Sequence, residues 1–365
     1  MLGRCLVNVR ESVSTAVSVD LIRTVAICAV LLLHAVVYAS NDVLIHNSLT
    51  VYRGWMVNIY LCFSRMGVPL FIMLTGALLL APSKKDEELG VFFKKRFSRV
   101  GLPFLFWGVI YFLWTIYIEK QAVTQEFLIK GILSGPYVTF WYLYMLIGLY
   151  LITPMLRVMV ANFTDKHFKY FIALWFTGIT SMALIRFVSN GQYALDGNVF
   201  LIPLSVGYFV MGAYLVKVHV RRRTLVTLAG LGLALTAIAT FFTANFNSGA
   251  IYFFQESNSP TIILAAASLF MLLNSYAKPQ NALQAEKPSW KQRILHVISE
   301  NSLAIYLFHM IALSLIKNGF FGFTLHGRNV DAIIGAPLLA TLTLVLSLII
   351  VILLKKIPRL KKLIG

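Results

Sequence analysis

Three ionisable residues sit where apolar sequence ought to exclude them. Asp20, Arg23 and His34 lie in SVDLIRTVAICAVLLLHAVVYAS, a run otherwise apolar enough to cross a bilayer. An ionisable group inside such a run is costly, and the default expectation is a functional one. Arg23 and His34 are eleven residues apart, about three helical turns plus ~20°, so they share one face. Asp20, three residues before Arg23, falls on the same face and within reach of an ion pair. Along the helix axis Arg23 and His34 are ~16 Å apart, about half the hydrocarbon thickness. Imidazole exchanges a proton near neutral pH, which suits His34 to general-base work. The competing reading is structural: His34 bonds a neighbouring helix while Arg23 snorkels to the headgroups.

Other clusters extend the pattern. In VFFKKRFSRVGLPFLFW, Arg96 and Arg99 are three apart and share a helical face just before Pro103. Two guanidiniums so placed can hold a phosphate through charge-assisted hydrogen bonds. The same basic run also reads as a flank that contacts anionic membrane lipids. Arg65, in SRMGVPLFIMLTGALLL, opens a second apolar run and is expected in the same half of the bilayer as His34. There it could steady a negative charge developing in a transition state, or serve as an interfacial anchor. Gly76 and Thr75 suit close helix packing. Tyr137, Trp141, Tyr142 and Tyr144 cluster in GPYVTFWYLY, either as an aromatic belt or as a wall on which sugar rings stack. His309, a second histidine inside an apolar run, is grouped with Tyr137, Trp141 and Tyr144 as a substrate-binding candidate. Its other reading is a bond to a neighbouring helix. No pair of residues has the HExxH or comparable spacing, so a metal site is unsupported. Walker, GxGxxG and GxSxG patterns are absent from the sequence.

The elements that must carry these residues are membrane helices. The chain is 59% hydrophobic and 13% charged, against about 25% charged in a soluble domain. Its net charge of +18 lies in short runs between apolar segments, which fits cytoplasmic loops rather than nucleic-acid binding. Ten stretches are long and apolar enough to span: 20–40, 59–81, 100–118, 138–160, 169–187, 199–217, 224–243, 259–276, 296–317 and 333–354. With the N-terminus inside, Lys and Arg fall 25 to 7 in favour of the cytoplasmic side. That alternation predicts an all-α polytopic membrane helix bundle of about ten transmembrane helices with both termini cytoplasmic. One membrane domain is expected over 1–365, with a cytoplasmic N-terminal segment (1–18) and a basic cytoplasmic tail (355–365). The first run reads as an uncleaved anchor rather than a signal peptide. The longest connections are 82–99, 119–137 and 277–295. Cys5, Cys28 and Cys62 have no redox or metal spacing.

Taken together, these stretches resemble the acyltransferase-3 family of integral membrane O-acyltransferases. The residues that carry the resemblance are Arg23-X10-His34, VPLFIMLTGALLL, the pair Arg96/Arg99 before a proline, FWYLYMLIGLYLITPMLR and SLAIYLFHMIAL. It covers nearly the whole chain, and the enterobacterial-common-antigen O-acetyltransferase-like group looks nearest because it too is a bare membrane domain. The resemblance implies transfer of an acyl group, commonly acetyl from acetyl-CoA, to a hydroxyl of a lipid-linked or cell-surface glycan at the cell (plasma or inner) membrane. It implies that Arg96, Arg99 and Arg23 grip the nucleotide end of acyl-CoA, and that His34 acts as general base or transient acyl carrier. Arg65 would stabilise the oxyanion. One position departs: many members carry histidine two residues before the tryptophan of the fourth-span motif, where this chain has Thr139. The alternative reading is a transporter or flippase for a small molecule or lipid-linked sugar, for which ten spans with buried ionisable groups would also serve.

Overall fold

The first apolar run contains neither glycine nor proline and folds as one unbroken helix, α1 (Val19–Ala39). The computed structural model describes residues 19–39, 51–84, 87–189, 192–193, 202–246, 253–276, 289–320, 322 and 332–365. The N-terminal segment 1–18, Cys5 and most of the connection 277–295 lie outside the described residues. Among the described residues all regular structure is helical.

Among the described residues eight helices are long and apolar enough to cross a membrane: Val19–Ala39, Gly54–Leu79, Leu89–Tyr117, Gln125–Ala161, Asp165–Ile185, Arg222–Thr243, Phe253–Asn274 and Ile333–Lys355. The other two expected spans differ from the sequence reading. The stretch 199–217 yields a helix over Leu204–Leu215 only; twelve residues reach ~18 Å, short of the ~30 Å hydrocarbon core. The stretch 296–317 is a broken pair, Trp290–Glu300 and Ser302–Lys317, bent by 74°. At the bend the Asn301 side-chain amide donates back to the Val297 carbonyl at 2.7 Å. The first half of the pair is a mostly exposed amphipathic helix opened by a Ser289/Gln292 capping box.

Several spans are interrupted, and each interruption has a local cause. Helices α2 (Val51–Ser64) and α3 (Gly67–Leu79) part at Arg65 and Met66. Gly67 starts α3 hard against α1, where an added Cβ would lie 2.9 Å from the Ala26 carbonyl oxygen. Pro69 two residues later lacks the N–H that a continuous helix would use. Helices α4 (Leu89–Arg96) and α5 (Leu102–Tyr117) are joined by a π-helical turn, Phe97–Gly101. There the Leu102 N–H reaches five residues back to the Phe97 carbonyl, and Pro103 has no N–H for the carbonyl of Arg99. The expected connection 119–137 contains a helix of its own, α6 (Gln125–Ser134), capped by the Thr124 hydroxyl, which accepts from the Phe127 N–H at 3.1 Å.

After α6 come α7 (Trp141–Ala161), α8 (Asp165–Val188), α9 (Leu204–Leu215), α10 (Arg222–Phe246) and α11 (Pro260–Asn274). The broken pair supplies α12 (Trp290–Glu300) and α13 (Ser302–Lys317), and the chain ends through α14 (Ala332–Lys355) and α15 (Lys361–Ile364). The core runs along α13, whose residues from Ala304 to Ser314 are all buried. Helices α3 and α9 approach backbone to backbone. A Cβ on Gly76 would lie 1.8 Å from the Phe209 carbonyl oxygen, and one on Gly212 would lie 2.0 Å from that of Met73. The basic tail packs into the bundle: Ile364 is fully buried, and its carbonyl accepts from Trp107 Nε1 of α5 at 3.1 Å.

Candidate functional site

The polar face of α1 opens onto two cavities. Arg23 lines the first, of about 270 Å³, together with Lys84, Arg96 and Arg99. No acidic side chain is among the described residues lining it, so its four cations favour a polyanion. The π-helical turn supplies Arg99, and Arg96 precedes it with its guanidinium over the rings of Phe92 (5.4 Å) and Tyr150 (5.9 Å). Lys84 ends a short turn, Pro82–Lys84, that follows α3. A buried cation from α7 ties down the segment beyond it. Arg157 donates through Nε to the Leu79 carbonyl at 2.8 Å and through Nη2 to Glu87 Oε2 at 3.0 Å. Lys95 donates to the other oxygen of Glu87 at 2.7 Å. These bonds hold the Glu87 carboxyl, which lies between spans, below its ordinary value, with Lys95 the largest cause.

His34 lines the second cavity, of about 810 Å³, with Arg65, Tyr137 and Trp141. The helix break after α2 is what releases Arg65 towards this space. Glu119 and Lys130 also line it, and the Tyr137 hydroxyl donates to Glu119 Oε1 at 3.1 Å. Behind His34 stands His309, fully buried, with ring centroids 5.1 Å apart and planes tilted by 45°. His309 Nδ1–H donates to the Tyr306 carbonyl of its own helix. Its Nε2 is buried with no hydrogen-bond partner among the described residues. A half-buried imidazole opposite a guanidinium, on a cavity walled by aromatic rings and two further charges, can deprotonate a hydroxyl and shield the oxyanion that forms.

The expected site residues are therefore divided, and three are placed differently from the sequence reading. Arg23, Arg96 and Arg99 share one cavity; His34, Arg65, Tyr137 and Trp141 share the other. Asp20 makes its close contact with another residue than Arg23, on which its charge acts only through space. Its carboxylate accepts from His296 Nδ1 of α12 at 2.9 Å, a partner 276 residues away that helical spacing cannot reveal. Tyr144 is not on the acceptor wall: its hydroxyl donates to the Ile132 carbonyl, pinning α6 to α7, and its ring packs on Phe104. His309 supports His34 from behind rather than lining the cavity.

Sequence reasoning missed Lys84, Glu119, Lys130 and Tyr306. In the sequence each is an ordinary loop charge or an aromatic in an apolar run, and only tertiary packing brings them to the cavities. Among the described residues no group of three His, Cys, Asp or Glu is placed to hold a metal ion.

A family model described as an acyltransferase domain matches residues 17–355. No curated protein and no solved structure matches the chain.

Proposed function

The chain belongs to the acyltransferase-3 family and is a multi-pass membrane acyltransferase, and from that membership we propose that it moves an acyl group, acetyl foremost, from cytoplasmic acyl-CoA to a hydroxyl of a lipid-linked or cell-surface glycan. Membership sets aside the transporter or flippase reading. The observation that carries the proposal is the division of α1 between two unlike cavities: Arg23 among four cations, His34 among aromatic and mixed polar groups.

The nucleotide phosphates of acyl-CoA bind Arg23, Lys84, Arg96 and Arg99, on the side where the chain's Lys and Arg residues concentrate. Both termini lie on that side, in the plasma (inner) membrane. The acceptor glycan enters the larger cavity and stacks on Trp141 and Tyr137. His34 takes the proton from the acceptor hydroxyl as its oxygen attacks the thioester carbonyl. Arg65 faces the oxyanion of the tetrahedral intermediate. When the intermediate collapses the carbon–sulfur bond breaks, and the His34 imidazolium returns its proton to the departing thiolate. The products are the O-acyl ester and free CoA.

The test is release of CoA thiol from acetyl-CoA by the purified protein with an acceptor glycan, paired with mass spectrometry of that glycan. Loss of the gained acetyl mass in His34→Ala, at unchanged expression and folding, is the expected result. Full transfer by that variant would remove His34 from the chemistry, and no thioester cleavage by the parent protein would remove the donor.

A further inference from the structure

Among the described residues Tyr306 alone lines both cavities. It stands on α13 and is only 4% exposed. Its ring packs against Tyr142 of the four-cation cavity, with centroids 5.0 Å apart. It also packs against His309, the ring behind His34, at 5.5 Å. Its hydroxyl donates to the Thr139 carbonyl at 2.8 Å. Thr139 belongs to the turn Val138–Phe140, and the neighbouring Tyr137, Val138 and Trp141 line the His34 cavity. The surrounding backbone is pinned: the Tyr111 hydroxyl bonds the next carbonyl of α13, that of Leu307, at 2.8 Å, and Phe140 is fully buried. Between the cavities stands this one side chain, held by a single hydrogen bond and by its ring contacts with Tyr142 and His309.

We propose that Tyr306 is a gate between the two cavities. With its hydroxyl on the Thr139 carbonyl the ring closes the passage, and with that bond broken the ring swings aside and joins the spaces. What passes is then the thioester arm of the donor, a point that rests on the acyl-CoA reading, whereas the partition itself does not. Arg23 and His34 stand ~16 Å apart along α1, so the arm must cross this partition to bring its carbonyl to the base. A closed gate also keeps water at His34 from the bound thioester before an acceptor arrives. Thr139 thus contributes here through its backbone carbonyl.

The partition is read directly by cysteine labelling of the full chain in vesicles. Cys5, Cys28 and Cys62 are replaced by alanine, and Val68→Cys supplies one reporter on the His34 cavity. A charged, membrane-impermeant thiol reagent is then applied from one side at a time. With Tyr306 present, the reporter is expected to label from the His34 side and not from the Arg96 side. In Tyr306→Ala it labels from both. Tyr306→Phe keeps the ring and loses only the hydroxyl bond, so labelling from the Arg96 side rises about fivefold, the effect of one net hydrogen bond. Unchanged labelling from the His34 side shows that the cavity is intact, and if Tyr306→Ala does not fold, Tyr306→Phe decides alone. Equal labelling from the Arg96 side with and without the tyrosine hydroxyl overturns the proposal. A gated labelling pattern in a protein that never cleaves acetyl-CoA would leave the partition standing and overturn the donor reading instead.

Discussion

At the scale of the residue, the fold keeps two groups of cations apart. Arg96 lines the four-cation cavity and Arg65 the His34 cavity, so on the proposed function their substitutions separate kinetically. Arg96→Ala removes charge-assisted hydrogen bonds to donor phosphates and raises the KM for acetyl-CoA by about tenfold or more with little change in kcat. Arg65→Ala acts on the transition state and lowers kcat by about a hundredfold with KM nearly unchanged. Steady-state kinetics on the two variants checks both, and the reverse assignment would exchange the cavities' roles. The spacing of Arg23 and His34 was legible because a helix fixes which residues share a face. The partners were not: His296 for Asp20, and His309 behind His34, come from helices 275 or more residues further along the chain. Such contacts depend on tertiary packing, on which spacing within one helix is silent.

At the scale of the element, the working residues stand at breaks. Arg65 lies between α2 and α3, Arg99 in the π-helical turn, and Tyr306 two turns or less beyond the Asn301 bend. Pro69, Pro103 and Asn301 were visible in the sequence, yet whether a proline kinks a helix or opens a π-turn depends on the carbonyls left without a donor. The twelve-residue helix α9 looked like a span because its flanks are also apolar. Its close crossing with α3 leaves no space for a side chain at Gly76. Gly76→Val is expected to lower stability by about 3 kcal/mol, the upper range for overpacking a core, seen as a reduced Tm in detergent. A Tm equal to that of the parent would mean that α3 and α9 do not meet as described. The helix α6 lies within the expected connection 119–137, and its ten residues are too few to stand out as a span. Its place is set by the hydroxyl of Tyr144 and the Thr124 cap.

At the scale of the whole molecule, composition alone pointed to the helical membrane bundle, since it does not depend on tertiary detail. The two cavities were not legible, because they form where several helices fail to close. The ion cluster of Glu87, Lys95 and Arg157 fastens α7 to the segment between α3 and α4. A carboxyl held below its ordinary value of 4.5 gives stability that is present above that value and lost as pH falls through the depressed one. The Tm of the parent protein should therefore fall on acidification below that ordinary value, and Glu87→Gln should have a lower Tm at neutral pH and a flatter acid limb. Identical acid limbs would show that the cluster does not fasten the bundle.

The central claim is that donor and acceptor work from opposite cavities, with the acyl group passing between them. It is tested most directly in vesicles of one known protein orientation, with labelled acetyl-CoA sealed on the Arg96 side only and an acceptor glycan on the other. Labelled glycan on the His34 side, absent when the donor is supplied there instead, is the predicted result. Acylation that proceeds only when donor and acceptor share one side would contradict it.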